Sequence, residues 1–180
     1  MQNSSFTTAM FDTDAPLTRR TMLSGVAALA LGVGGCSAPQ PAPDSKFLLL
    51  DGSTISMQAM RGQVVLVNFW ATTCTSCVAE MPQLVDTHQR FAEQGFETVA
   101  VAMSYDPPAY VNRFAQTRQL PFKVAIDHDG QVAQAWDEVR LTPTTFLVNA
   151  RGEIVKRYVG PPEFSALNEL IAQLLAQRTA

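Results

Sequence analysis

The sequence predicts an α/β protein, with helices packed as a sandwich around one mixed β-sheet. Three observations carry that prediction. Apolar runs of strand length, at 64–70 and 96–103, alternate with stretches whose apolar residues recur at helical spacing. The C-terminal part closes with two strands joined by a tight turn and then a last helix, so antiparallel pairing joins the parallel part of the sheet. At 180 residues, 47% hydrophobic and 16% charged, the chain has material for one core of ordinary size plus a tail.

The first 36 residues read as a processing segment outside the fold. Arg19 and Arg20 follow a polar start, an Ala/Leu/Gly-rich stretch spans 21–35, and Val33-Gly34-Gly35-Cys36 ends it. That ending resembles the bacterial lipobox, in which the cysteine is lipidated and becomes the first mature residue. Thr18-Arg19-Arg20-Thr21-Met22-Leu23 also resembles a twin-arginine export motif. Residues 37–45, with Pro39, Pro41 and Pro43 and little to bury, read as an extended tether to a folded domain over 46–177. The expected location is the bacterial cell envelope, facing the periplasm and held to the membrane by lipid at Cys36. No run of 18 uninterrupted apolar residues predicts a conventional membrane span.

Within the domain, 47–50 and 54–57 flank Asp51-Gly52 and predict an N-terminal β-hairpin. Residues 64–70 are almost wholly apolar, which suits a central strand covered on both faces. A helix over 74–94 buries Val78, Met81, Leu84, Val85, His88 and Phe91; Pro82 should kink it and Gly95 should stop it. A strand at 96–103, a helix opened by Pro107-Pro108 with Tyr110, Val111 and Phe114 inward, and a short strand at 122–126 follow. After a turn at Asp127-His128-Asp129-Gly130 come a short helix at 131–136 and antiparallel strands at 144–148 and 153–159. The helix at 163–177 ends the domain, with Phe164, Leu167, Leu170, Ile171, Leu174 and Leu175 on one stripe.

The chemistry-bearing residues are Cys74 and Cys77, at the junction of the central strand and its helix. Backbone N–H groups in the first turn of a helix lack intrahelical partners and favour negative charge, so a thiolate at Cys74 is stabilised and becomes the attacking sulfur. Cys77 lies one turn on, placed to displace a mixed disulfide. Zinc needs four ligands, and no second cysteine pair exists; His88 reads as a buried-stripe residue and His128 as a turn residue. A structural disulfide is a plainer reading, but partial exposure at a helix N-terminus makes a sulfur reactive. The rival with chemistry of its own is a Cu(I)-binding metallochaperone, with His128 as a distal ligand. Copper carriers of this kind typically use a Cys-x-x-x-Cys pair, whereas the spacing here is two. The net charge of −3 gives no reason to expect nucleic acid, which calls for a basic face. No metal or bound cofactor is expected, since the two sulfurs themselves carry the electrons.

The residues Val64-Val65-Leu66-Val67-Asn68-Phe69-Trp70-Ala71-Thr72, Cys74-x-x-Cys77 and Glu80-Met81-Pro82 resemble the TlpA/ResA-like branch of the thioredoxin fold. So do Leu141-Thr142-Pro143-Thr144-Thr145-Phe146-Leu147-Val148 and Gly152-Glu153-Ile154-Val155, and the similarity covers about 46–177. The resemblance implies a thioredoxin-like sandwich with an extra strand-helix insert near 96–126. It further implies an exported, membrane-tethered thiol-disulfide oxidoreductase that reduces protein disulfides in cytochrome c maturation or copper-centre assembly. Its partners would be a disulfide-containing exported protein, an apocytochrome c or a copper-site protein, and a membrane electron-transfer reductant. By the same resemblance, Cys74 is the nucleophile, Cys77 resolves, and Pro143 is a cis-proline that turns the Thr142 backbone toward substrate. Three departures stand out: Thr73 replaces the usual Trp, Thr75-Ser76 lacks the Pro common before the second cysteine, and Asn68 replaces a buried Asp. Where the branch often supplies a Glu from the insert, Tyr105 stands, with Asp106 beside it. Asp106 and Glu80 are therefore candidate proton shuttles, although the plainer expectation makes each a solvated surface carboxylate.

Overall fold

The computed structural model describes residues 40–178. A short strand β1 (Gln40–Pro41) precedes a hairpin of β2 (Lys46–Leu48) and β3 (Thr54–Ser56), which forms a two-stranded sheet of its own. Then come β4 (Val64–Trp70), α1 (Thr75–Phe91), β5 (Phe96–Ala102), α2 (Pro108–Arg118), β6 (Lys123–Ile126) and α3 (Gln131–Ala135). The chain closes with β7 (Thr144–Val148), β8 (Glu153–Val159) and α4 (Phe164–Arg178). The main sheet has six strands in the order β1-β8-β7-β4-β5-β6. β4 and β5 run parallel, as do β5 and β6, whereas β7 is antiparallel to both β4 and β8. The sheet is mixed, as the sequence predicts.

β4 organises the core because all seven of its residues are buried. Successive strand side chains point to opposite faces, so its sequence divides by period two. Val64, Leu66 and Trp70 join a cluster with Met81, Leu84, Leu167 and Ile171 from α1 and α4. Val65, Val67 and Phe69 join a second cluster with Phe47, Met60, Phe146 and Trp136 on the other side. Burying a Leu or Phe side chain contributes roughly 1.5–3 kcal/mol, so both faces hold the sheet firmly. His88 completes the α1 stripe: its Nδ1 lies 3.2 Å from Thr98 Oγ1, its ring meets Phe122, and burial pushes its pKa down. Gly95 ends the helix extension at φ 92, where an added Cβ would run into the Arg178 guanidinium.

Two expectations need revision. Tyr110, expected inward, is 57% exposed. α2 begins at Pro108, and from that start Val111 takes the buried position while Tyr110 turns outward. The proline-rich stretch does not stand free of the domain from residue 40 onward. β1 pairs with β8, Ala42 N–H donates to Gly152 O at 2.9 Å, and buried Ser45 accepts a hydrogen bond from Trp136 Nε1 at 3.0 Å. Alternate prolines leave the remaining amides free to pair at a sheet edge. Cys36 and the preceding segment lie outside the described residues.

Candidate functional site

β4 ends at Trp70 and α1 begins at Thr75, so residues 71–74 form a tight loop that delivers Cys74 to the helix N-terminus. Cys74 is the N-cap, in an extended conformation, and its sulfur accepts the Cys77 N–H at 3.2 Å. A sulfur in that position faces the positive end of the helix dipole. The two cysteines are joined as a disulfide. Their burial differs: Cys77 is fully buried in the α1 cluster, whereas Cys74 is half-buried. An incoming thiolate or disulfide therefore meets Cys74 first. Ser76 Oγ lies 3.5 Å from the Cys74 sulfur, a contact the sequence did not single out.

Pro143 reaches the same end of the sheet through strand register. Thr144 pairs with Phe69 in an antiparallel ladder, so the residue before Thr144 stands beside the C-terminal end of β4. The Thr142–Pro143 peptide bond is cis. Pro143 O accepts from Gly160 N–H at 2.8 Å, and Thr144 Oγ1 donates to Leu141 O at 2.7 Å. Tyr105 Oη lies 3.5 Å from Thr142 Oγ1, which brings the insert to the proline loop.

Neither Glu80 nor Asp106 is a solvated surface carboxylate. Both are 2% exposed. Glu80 sits one turn after Cys77 on the same face of α1, and Asn68 on β4 points to that face with Leu66 and Trp70. Asn68 Nδ2 donates to Glu80 Oε1 and to Thr145 Oγ1, each at 2.9 Å. Glu80 Oε2 and Asn68 Oδ1 have no hydrogen-bond partner among the described residues. Burial pushes the Glu80 pKa up to about 7, against a smaller lowering by the Asn68 hydrogen bond. Asp106 has a different environment: Oδ2 accepts the Thr72 N–H and Oδ1 the Thr72 hydroxyl, both at 2.6 Å. Helix phase after Cys77 signals the first of these burials. Nothing local signals the second, because Thr72 and Asp106 are 34 residues apart.

The Redoxin family profile matches residues 37–171. The chain belongs to the Redoxin family. Within it, the chain is similar to the thiol-disulfide oxidoreductase ResA of Halalkalibacterium halodurans, 38% identical over 111 residues, 62% of each protein. It is also similar to the ResA of Bacillus subtilis, 33% identical over 142 residues, covering 79% of this chain and 78% of that protein. A crystal structure of a thiol:disulfide interchange protein of the thioredoxin family from Chlorobium tepidum TLS superposes with a TM-score of 0.71 at 25% identity. That match covers 77% of this chain and 98% of the other. The fold is thioredoxin-like. A Cys-x-x-Cys pair on this fold makes this Redoxin-family chain a thiol-disulfide oxidoreductase. Among the described residues, no three His, Cys, Asp or Glu side chains converge to hold a metal ion. His128 is exposed in its turn, and the similar proteins, named as thiol-disulfide oxidoreductases, do not favour the copper-carrier alternative. Among the same residues, no helix is long and apolar enough to cross a membrane.

Proposed function

We propose that the chain is an extracytoplasmic disulfide reductase whose Cys74 attacks and whose Cys77 resolves. The observation that carries this reading is the asymmetry of the pair: a half-buried Cys74 sulfur capping α1 and a fully buried Cys77 with Glu80 one turn beyond it. In the reductive cycle, the Cys74 thiolate attacks one sulfur of a substrate disulfide and the other sulfur leaves as a thiolate, taking a proton. Cys77 gives its proton to Glu80, then attacks the Cys74 sulfur. A Cys74–Cys77 disulfide forms and the second substrate thiol is released, so two electrons pass from the pair to the substrate. Thr142 and Pro143 border the substrate path, and the Thr142 backbone pairs with the incoming segment. Asp106, with both oxygens engaged by Thr72, holds the loop before Cys74 and takes no part in proton transfer.

The substrates in this reading are exported proteins with a disulfide, either an apocytochrome c or a copper-site protein. A membrane electron-transfer protein carrying a dithiol restores the reduced pair. The names of the similar proteins support disulfide exchange, and the export-like segment ending at Cys36 supports a periplasm-facing, lipid-anchored location. Cys77→Ser should trap a mixed disulfide with the partner in cells, whereas Cys74→Ser should not. The reductase direction predicts a largely reduced pair by thiol alkylation of intact cells. A largely oxidised pair with a potential near those of strong oxidants would reverse it. The mass of the mature N-terminus tests Cys36, and an unmodified cysteine would remove the lipid anchor.

A further inference from the structure

α2 turns one stripe of its surface toward the loop that carries the dithiol. Tyr110, Arg113, Phe114 and Arg118 recur at helical spacing and, with Thr72 and Thr73, line a groove of about 440 Å³. Thr73 immediately precedes Cys74, so the groove reaches the residue next to the attacking cysteine. Its two walls are locked together, because the buried Asp106 at the head of α2 takes two hydrogen bonds from Thr72. Thr73 is short and exposed and leaves the groove open, while Tyr110 stays 57% exposed along it.

The charge of this stripe opposes that of the molecule. The chain carries a net −3, yet α2 contains Arg113 and Arg118 and no Asp or Glu. Among the described residues, neither guanidinium forms an ion pair. Arg118 lies over the Phe114 ring at 5.7 Å, which orients its planar fork without neutralising it. A smaller groove of about 220 Å³ shares Phe114 and Arg118 and continues past Met81 and Val85, with Asp86 the one acidic residue lining it. Asp106, which holds Thr72 of the groove wall, is buried with both oxygens occupied.

We infer that this groove selects protein disulfides flanked by acidic residues. The segment beside the attacked cysteine lies along α2, with Asp or Glu carboxylates on Arg113 and Arg118 and an apolar side chain against Tyr110 and Phe114. Arginine pairs with carboxylates through two parallel hydrogen bonds, and an exposed pair of this kind raises association rates in a salt-dependent way. The inference rests on the dithiol-exchange reading above. Its test uses the reduced protein and three disulfides: a neutral small one, bis(2-hydroxyethyl) disulfide, and two disulfide peptides identical except for Glu or Lys at the positions flanking one cysteine. Second-order exchange rates are compared as the acidic-to-basic peptide ratio within each protein, so a general change in sulfur reactivity cancels. The expected ratio is about tenfold at low salt, falling toward one at high salt, and it drops below one in Arg113→Glu/Arg118→Glu. A wild-type ratio within about twofold of one at low salt, or a ratio the double variant leaves unchanged, overturns the acidic preference. Exchange with none of the three disulfides overturns the dithiol reading itself, and this inference with it.

Discussion

Glu80 acquires its chemistry from where the fold puts it. Its ordinary carboxyl pKa of 4.5 is raised to about 7 by burial beneath the dithiol. Between those values the native state binds a proton that the unfolded chain has released. Stability therefore falls as pH rises from about 4.5 and levels off beyond about 7, a loss on the order of 3 kcal/mol. Glu80→Gln keeps the acceptor for Asn68 and removes that slope, which urea unfolding at several pH values would reveal. The same variant should also flatten the rise with pH, centred near 7, in the rate at which Cys77 resolves a mixed disulfide. Ser76 acts on the other sulfur. Its hydroxyl, 3.5 Å from Cys74, is a donor for the thiolate of the reduced form. Ser76→Ala should raise the Cys74 thiol pKa by about half a unit, a loss near 0.7 kcal/mol. Because the thiolate then stabilises the reduced pair less, the potential should fall by about 15 mV. A thiolate absorbance titration and a glutathione redox equilibrium measure the two effects.

At the scale of elements, what matters is how the 71–74 loop is held between β4, α1 and α2. Asp106 is its main anchor, since one carboxylate takes both Thr72 donors. Asp106→Ala leaves the partly buried Thr72 N–H and hydroxyl without their acceptor and should cost about 1–2 kcal/mol, with a shifted Cys74–Cys77 potential as the sign that the loop has moved. Thr72→Val spares the backbone bond and should cost about 1 kcal/mol, and Asp106→Asn, which keeps one acceptor oxygen, should fall between. Elements were legible where the signal is local: β4 and β7 as uniformly buried apolar runs at 64–70 and 144–148, and β8 at 153–159 as the strand across the tight turn from β7, as expected. Helix phase was less legible. One Pro-Pro start turned Tyr110 out to solvent, and a stripe read as apolar passed over Glu80, which is buried between Cys77 and Leu84 on α1. Glu80 and Asp106 were legible as candidates, but their hydrogen-bond partners were not, because Asn68, Thr145 and Thr72 come from strands and loops that only the sheet register brings together.

At the scale of the molecule, the sheet separates two cores, and the dithiol belongs to only one of them. Cys77 packs with Trp70, Met81 and Leu84, whereas Trp136, Phe47 and Phe146 fill the opposite face. Strand order could not be read from periodicity, since β7 pairs with β4 across more than half the domain. Nor could the docking of residues 40–45, whose prolines suggested only extension. That segment now has a structural role on the far core. Ser45 is buried, its hydroxyl is the partner of the fully buried Trp136 indole N–H, and its carbonyl accepts the Met57 N–H at 3.0 Å. Ser45→Ala strands the indole donor in an apolar setting, an unsatisfied group costing about 1–3 kcal/mol. Removing residues 37–45 entirely also strips β1 from the β8 edge, so the truncated domain should be less stable than the point variant. Both should leave the Cys74–Cys77 potential unchanged, because the altered contacts lie across the sheet from the sulfurs. Thermal unfolding alongside a redox titration tests this division. A potential that moves with Ser45 would mean that the two cores are coupled through β4, and that the proline-rich segment tunes the dithiol as well as leading into the domain that carries it.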